Sequence, residues 1–218
     1  MLKLFSHRGY LPLNNQKNLL QENSIASLKN AVNHGFKAIE FDIWLINNQL
    51  ILSHDLPSNI EKCPRFADYL QYQNQLEYWL DFKNLTIENI DYVLELLACD
   101  LINNKINFDQ LYFAPYCTDY SQTKIFCEKF RKFFNKQIKF VAVCDDSSQI
   151  NELEQLILKE TINFISINHK LITKEFIAKF KNCHLMAWTI KNQSTLNKLS
   201  ELKIEYFACD ILPHIDSQ

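Results

Sequence analysis

Short apolar runs alternate with helical patterns along most of this chain. The runs predict strands at about residues 3–7, 37–45, 76–82, 110–114, 138–144, 162–167, 184–190 and 204–209, and most of them precede a segment with helical spacing of apolar residues. Strands that alternate with helices form parallel sheets, and eight such units close into a barrel. The sequence therefore predicts an α/β fold, a (β/α)8 TIM barrel, as a single domain over residues 1–218.

The second predicted strand departs from this regular alternation. Its sequence, "IEFDIWLINNQLILSHD", continues past Trp44 into Asn47-Asn48, a dipeptide that tolerates positive φ, and then into another apolar run. This pattern predicts a hairpin that extends the second strand. The returning strand would bring His54 and Asp55 back toward the face that bears the carboxylates of the second strand.

Three predicted helices begin at small polar residues. Ser24 is a candidate N-cap before Ile25, and Gly35 stands where a left-handed residue would end that helix. Thr86 precedes a second apolar stripe, and Ser147 or Ser148 precedes a third.

Composition narrows the possible partners. The chain has 23 basic and 25 acidic residues, a formal net charge of -2, so we expect neither nucleic acid nor an anionic membrane as partner. The sequence lacks an apolar run of about 20 residues, which predicts a soluble, cytoplasmic protein without membrane insertion. It carries no strong interface signal, so the oligomeric state stays open.

The seven cysteines are scattered along the chain and lack zinc-site spacing or disulfide density. We interpret most of them as buried thiols. Cys144 and Cys209 lie near predicted strand ends, which leaves a nucleophilic role open for either.

Carboxylates occupy one face of the second strand. In "AIEFDIWL", Ile39, Phe41 and Ile43 share one face, whereas Glu40 and Asp42 share the other. In a barrel the apolar face meets the helices, so both carboxylates would point inward, where they need a compensating proton or cation. Hard oxygen ligands favour Mg²⁺ or Ca²⁺. The alternative is a solvent-facing pair on an edge strand.

The next strand also carries charged residues two positions apart on one face. In "LEYWLDFKNL", Asp81 and Lys83 share a face near the carboxyl end of the strand, where barrel active sites lie. Asp81 could complete a carboxylate cluster, and Lys83 could offset the charge of a bound anion. An ordinary ion pair is the alternative.

A histidine, an arginine and a glycine end the first strand. Gly9 is one of two glycines in the chain and allows a sharp turn directly after His7 and Arg8. Arginine suits phosphate recognition, and His7 with His54 could exchange protons near neutral pH. A single strand-end histidine is more often structural, but the combined motifs indicate a catalytic site.

These motifs resemble one known family. "HRG" at 7–9, "ENS" at 22–24, "EFD" at 40–42, "SHD" at 53–55 and "DFK" at 81–83 are similar to motifs of the glycerophosphodiester phosphodiesterases, which belong to the phospholipase-C-like phosphodiesterase barrels. "AWTIKN" at 187–192 and "ACDILP" at 208–213 add weaker similarity. The resemblance spans nearly the full chain, although its specific motifs lie in the first 83 residues.

The resemblance implies a role for each matching residue. Divalent-metal ligands would be Glu40, Asp42 and Asp81, and the acid–base residues would be His7 and His54. Arg8 and Lys83 would neutralise the phosphodiester. Trp188 would form an apolar wall for the alcohol, with a place in the barrel core as the alternative, and Asp210 would be a further pocket residue.

The implied activity is hydrolysis of a small-molecule glycerophosphodiester or related polyol phosphodiester, dependent on Mg²⁺ or Ca²⁺. A phosphoinositide-type lyase that releases a cyclic phosphate and a non-catalytic barrel that binds a phosphate ligand are the alternatives. The chain departs from the family pattern at Asp81, where glutamate is usual, and in the short segment 56–80. The loop between Gly9 and Glu22 is expected to cover the site instead.

Other polar residues are left out of the predicted site. Asp145 and Asp146 are interpreted as helix-capping or solvated groups. His169 is expected in a loop, with a place on the rim of the site as the alternative. His34, His184 and His214 are assigned no function.

Overall fold

Parallel strands close into a barrel in the computed structural model, which describes residues 2–9, 21–70, 76–117, 119–135 and 138–212. The strands are β1 (Lys3–His7), β2 (Ala38–Ile46), β3 (Gln49–Leu52), β4 (Glu77–Phe82), β5 (Leu111–Pro115), β6 (Lys139–Cys144), β7 (Phe164–Asn168), β8 (His184–Ile190) and β9 (Tyr206–Cys209). Around the barrel the order is β1-β2-β4-β5-β6-β7-β8-β9, and β9 pairs with β1 to close it. The predicted (β/α)8 TIM barrel is confirmed.

A helix follows nearly every barrel strand along the chain. The helices are α1 (Ile25–Asn33), α2 (Phe66–Tyr69), α3 (Ile90–Asn103), α4 (Tyr120–Phe134), α5 (Ile150–Lys159), α6 (Lys174–Lys179) and α7 (Gln193–Glu201). Across the described ranges of the chain, no helix is both long and apolar enough to cross a membrane.

Helix starts match the sequence signals in part. Ser24 caps α1 with its side chain, and Gly35 has φ +85° just beyond its end, as predicted. Helix α3 begins at Ile90, one turn later than predicted, because Thr86 and Asn89 form a separate turn with reciprocal hydrogen bonds. Before α5, the side chain of Asp146 rather than a serine accepts the capping hydrogen bond.

The hairpin is formed as predicted, although its returning strand is shorter. β3 pairs antiparallel with the end of β2, and the connecting Asn47 and Asn48 both have positive φ. The strand ends at Leu52, so His54 and Asp55 lie in the turn that follows. The backbone N–H of Ser53 still donates to the Asp42 carbonyl, which keeps this turn beside β2.

The interior of the barrel is packed with aromatic rings. Phe5 contacts Trp79 and Tyr112 edge-on, at ring-centroid distances of 5.6 and 5.3 Å. At the amino end of the strands, Lys3 donates to Glu77 at 2.7 Å and Tyr112 donates to the same carboxylate at 2.9 Å. This end of the barrel is therefore filled and paired, as expected for the face that supports stability.

The alternation of β2 is confirmed. Ile39, Phe41 and Ile43 are buried in the layer between the strands and the helices, while Glu40 and Asp42 are buried on the opposite, inward face. The inward carboxylates thus lie above the aromatic packing, toward the carboxyl ends of the strands.

Gly9 fits a space that excludes a side chain. Its φ is +62°, and a Cβ there would come within 2.4 Å of the Tyr69 hydroxyl and 3.1 Å of the Leu28 backbone nitrogen. We therefore expect Gly9→Ala to lower the free energy of unfolding by about 2 kcal/mol or more, through strain and overpacking together. Urea unfolding of the purified variant measures this loss.

Gly35→Ala is the matched control, because Gly35 also has positive φ but is partly exposed. We expect it to lose about 1 kcal/mol from the φ penalty. Equal losses in the two variants would contradict the proposed close packing around Gly9.

Candidate active site

Strands β2 and β4 place three carboxylates side by side. Asp42 and Asp81 are register partners on the two strands, and Glu40 lies two residues earlier on the same face as Asp42. One oxygen of each residue lies within 4.8 Å of those of the other two. Glu40 and Asp42 are 5% and 1% exposed, so three negative groups converge in a largely dry region.

Two cations offset part of this charge. Lys83 Nζ lies 2.7 Å from Asp42 Oδ1 and 2.6 Å from Asp81 Oδ2. Arg8 Nε lies 3.1 Å from Asp42 Oδ2, an ion pair without hydrogen-bond alignment. Burial alone would raise the pKa of Asp42, but Lys83 and Arg8 hold it below its ordinary value. Asp42 is therefore the carboxylate of the cluster that both cations contact and keep ionised.

The turn after β1 fixes Arg8 against this cluster. Arg8 itself has φ +55°, in the left-handed region, as does Gly9. The Arg8 backbone N–H donates to Glu40 at 3.0 Å, and its guanidinium donates to Glu22 at 3.0 and 3.1 Å. A positive φ at a non-glycine residue such as Arg8 is strained, and backbone strain of this kind persists where surrounding contacts stabilise it, often at functional sites.

Asn23 links this turn to β2. Its side chain donates to Asp42 Oδ2 at 2.9 Å and accepts from the Asp42 backbone N–H, while its own N–H donates to the Arg8 carbonyl. Neither Asn23 nor Glu22 was assigned a role from the sequence. Their place in the "ENS" motif was the available signal.

The remaining two carboxylates are shifted toward the protonated form. Burial, reinforced by Asp42, raises the pKa of Glu40 to about 7. Burial also raises the pKa of Asp81, although Lys83 opposes this. Asp81 Oδ1 is buried and has no hydrogen-bond partner in the described part of the chain. An unpartnered oxygen among converging hard donors is the environment that suits Mg²⁺ or Ca²⁺.

His7 is oriented by a residue from the far end of the chain. Its Nδ1 lies 2.8 Å from Asp210 Oδ1, and its Nε2 lies 3.4 Å from Thr189 Oγ1 and 4.0 Å from Glu40. Burial disfavours the charged ring, but the hydrogen bond to Asp210 and the charge of Glu40 outweigh it and raise the pKa of His7. Asp210 was predicted as a pocket residue, and its closest described partner is this imidazole.

His54 faces the same cavity from the hairpin. Its Nδ1 lies 2.9 Å from Asp55 Oδ1, and its carbonyl accepts from the Trp44 indole at 3.3 Å. The side chain is 38% exposed, so His54 reaches the site from the solvent side, whereas His7 lies deeper.

A single cavity joins these groups. It has a volume of about 360 Å³, and the predicted site residues that line it are His7, Arg8, Glu40, Asp42, His54, Asp81, Lys83 and Trp188. The Trp188 indole donates to Ser166 Oγ at 2.9 Å, and both residues line the cavity. Of the residues predicted from the sequence, Asp210 lies behind His7 rather than on this lining.

Two residues on the β5–β6 side were missed. Asp145 was left out of the predicted site, yet it lines the cavity together with Tyr116, whose hydroxyl donates to it at 3.0 Å. Lys83 Nζ lies 5.5 Å from the centre of the Tyr116 ring. The neighbouring Asp146 caps the following turn, as predicted. A tandem Asp-Asp sequence contains no signal that separates these two roles.

The cysteines and the remaining histidines lie in surroundings that do not indicate catalysis. Burial raises the pKa of the Cys144 thiol to about 11 and raises that of Cys209 as well, which disfavours the thiolate that a nucleophile needs. His169 begins a short turn, and its Nδ1 lies 3.0 Å from the Trp188 carbonyl, on the rim. His184 stacks on Phe164 at the other end of the barrel. His214 and most of the predicted covering loop, residues 10–20, lie outside the described residues.

The same fold occurs in solved phosphodiesterases. A glycerophosphodiester phosphodiesterase from Parabacteroides distasonis is 18% identical, with a TM-score of 0.73 over 96% of this chain and 93% of its own. An Oleispira antarctica phosphodiesterase, solved with the product sn-glycerol-3-phosphate, is 16% identical, with a TM-score of 0.72 over 96% and 93%.

A calcium-dependent phosphoinositol-specific phospholipase C from Pseudomonas sp. is more distant. It is 11% identical, with a TM-score of 0.61 over 95% of this chain and 87% of its own. Among curated proteins, none matches the sequence. The structural likenesses confirm the barrel fold.

The family follows from the sequence itself. Residues 7–184 match the Glycerophosphoryl diester phosphodiesterase family, a range that begins at His7 and includes the carboxylates, both cations and His54. This match covers most of the 218 residues. The chain therefore belongs to the glycerophosphoryl diester phosphodiesterase family of phosphodiester hydrolases.

Proposed function

We propose that this protein hydrolyses a small glycerophosphodiester or related polyol phosphodiester, that it requires Mg²⁺ or Ca²⁺, and that His7 and His54 act as its acid–base pair. The observation that carries this proposal is the convergence of Glu40, Asp42 and Asp81 within 4.8 Å in a cavity that both histidines line. A site that only bound phosphate would need the cations but would not need two proton-transfer groups.

The three carboxylates are the proposed metal ligands. Glu40, Asp42 and Asp81 offer hard oxygen donors, and the unpartnered Asp81 Oδ1 leaves one donor free for a cation. When bound there, a divalent cation supplies Lewis-acid stabilisation of the charge that builds on the phosphoryl oxygens. Asp81 stands where the family usually has glutamate, so the carboxylate that β4 would offer to the ion is one methylene shorter.

Arg8 and Lys83 are the proposed phosphate contacts. Both line the cavity, and both side chains are mostly buried, at 19% and 15% exposed. Buried cations interact strongly with a phosphodiester because little water screens them. Arg8 Nη1 already donates to both carboxylate oxygens of Glu22, so the guanidinium binds an anion from this position.

The histidines are the proposed proton-transfer groups. One imidazole removes the proton from the attacking oxygen as that oxygen bonds to phosphorus, and the other donates a proton to the leaving alcohol oxygen. Asp210 holds His7 through a hydrogen bond at Nδ1, and His54 Nδ1 lies 2.9 Å from Asp55 Oδ1, so Nε2 is the nitrogen proposed to transfer the proton in each ring. This arrangement lets the two rings act from the deep and the solvent side of the phosphate.

We expect Glu40→Gln to lower kcat/KM for glycerophosphodiesters by at least about 100-fold while the fold is retained, because the amide keeps the shape but weakens the ligand set. A coupled assay for released glycerol phosphate measures this loss, and circular dichroism checks the fold. Glu77→Gln is the matched control at the opposite end of the barrel. Equal activity in the two variants would contradict the proposed metal site.

Metal binding has a readout apart from activity. We expect added Ca²⁺ or Mg²⁺ to raise the Tm of the wild-type protein, since a ligand present at about 100 times its Kd stabilises the folded state by about 2.7 kcal/mol. Asp81→Asn should lose most of this shift. Asp91→Asn, which alters an exposed aspartate paired with Lys129, should keep it. A shift that is unchanged in Asp81→Asn would remove Asp81 from the ligand set.

The acid–base roles predict large effects on kcat. We expect His7→Gln and His54→Gln each to lower kcat by about 100-fold to 10,000-fold, with KM changed much less. His184→Gln is the control because His184 packs at the amino end of the barrel. Phosphorus NMR of the product distinguishes hydrolysis, which yields a phosphomonoester, from a lyase reaction, which yields a cyclic diester. Wild-type kcat in either variant would exclude that histidine from the acid–base pair.

A further inference from the structure

A second groove adjoins the active-site cavity on the β7–β8 side. It has a volume of about 360 Å³ and shares Trp188 and Thr189 with the cavity. Thr189 Oγ1 lies 3.4 Å from His7 Nε2, so the groove begins one side chain away from a proposed acid–base residue. We call it the β8 groove and define it by Lys170, Trp188, Thr189, Lys191, Asn192 and Thr195.

Positive charge lines this groove. Lys170 and Lys191 are exposed there, and within the described residues neither forms an ion pair. The groove lining contains no acidic side chain of the described chain. Asn192 caps α7 through its side chain, so the amino end of this nine-residue helix also faces the groove and adds partial positive charge. Both lysines remain available to a ligand.

The neighbouring part of the cavity rim, at the ends of β5 and β6, has the reverse charge. On the β5–β6 side, Asp145 lines the cavity and accepts a hydrogen bond from Tyr116. A phosphodiester held by Arg8 and Lys83 would therefore meet a carboxylate on the β6 side and two ammonium groups on the neighbouring β7–β8 side. An anionic substituent is repelled from the first side and attracted to the second, whereas hydroxyl groups can hydrogen-bond to Asp145 and Tyr116.

We propose that the β8 groove binds a second phosphate carried by the polyol of the substrate. The preferred substrate would then have at least two phosphates, with the scissile diester at Arg8 and Lys83 and the next phosphate at Lys170 and Lys191. This inference rests on the proposed phosphodiesterase function and narrows its substrate class. Two sources share this chemistry: a segment of a polyol–phosphate polymer and a diester whose alcohol bears a phosphate monoester.

Binding to a variant without turnover tests this proposal directly. In a His54→Gln background, calorimetry would compare glycerophosphoglycerol, its homologue with two phosphodiester linkages, and a glycerophosphodiester that bears a terminal phosphate monoester. We expect either two-phosphate ligand to bind about 10-fold more tightly than glycerophosphoglycerol at low ionic strength. Adding Lys170→Gln and Lys191→Gln should reduce this preference to within about 2-fold.

The control replaces two exposed lysines away from the groove, Lys132 and Lys181, by glutamine, which changes the net charge equally. The preference should survive in this control. Tighter binding of the two-diester ligand would assign the groove to a polymer segment, and tighter binding of the monoester would assign it to a phosphorylated alcohol.

The same preference in the His54→Gln protein with and without the two groove substitutions, or no preference in either, would overturn the inference. Turnover of the three compounds by the otherwise wild-type protein separates this result from a failure of the proposed function. Selective binding without turnover would retain the groove and overturn the enzyme mechanism. Turnover without selective binding would support the enzyme mechanism and overturn the groove proposal.

Discussion

The burial of three carboxylates at one end of the barrel is the constraint on which the rest of this site depends. Glu40, Asp42 and Asp81 converge within 4.8 Å, and such a group is stable only when cations or protons compensate it. Lys83 and Arg8 provide part of that compensation at Asp42. The raised pKa of Glu40 shows that the compensation is incomplete in the protein alone. A divalent cation would complete this compensation. The same carboxylate cluster thus accounts for the electrostatics of the site and for the metal-dependent chemistry proposed there.

The two ends of the barrel have different roles: the amino end stabilises the fold, and the carboxyl end carries the charged site. At the amino end, Lys3, Glu77 and Tyr112 pair with one another above packed aromatic rings. At the carboxyl end, β2 and β4 carry the three carboxylates, and Lys83 follows β4 directly. Because the aromatic layer fills the interior below, the charged groups remain at the mouth, where a cavity of about 360 Å³ can admit a phosphodiester. The charge asymmetry of its rim, with Asp145 at the end of β6 and the two lysines at the ends of β7 and β8, is the feature most relevant to substrate choice.

Much of the fold and part of the site could be predicted from local sequence. Strand and helix periodicities are local properties, and they were sufficient for the barrel order of elements and for the inward direction of Glu40 and Asp42. The hairpin was also predictable, because Asn47 and Asn48 tolerate positive φ. The contact between His7 and Asp210 was not, since 203 residues separate them and no local pattern links two strand ends. Asp145 was missed for the same reason: its partner Tyr116 directly follows a different strand, β5.

By itself, the sequence determined which residues have the chemistry for this site and on which strand faces they lie, because side-chain type and a period of two residues are both properties of the local chain. Only the tertiary structure decided which of them meet. Strand register aligned Asp42 with Asp81, closure of the barrel brought β9 and Asp210 to His7, and the β7–β8 ends formed a lysine-lined groove beside Trp188. These contacts depend on how distant strands align, and hydrogen bonding between neighbouring strands sets that alignment.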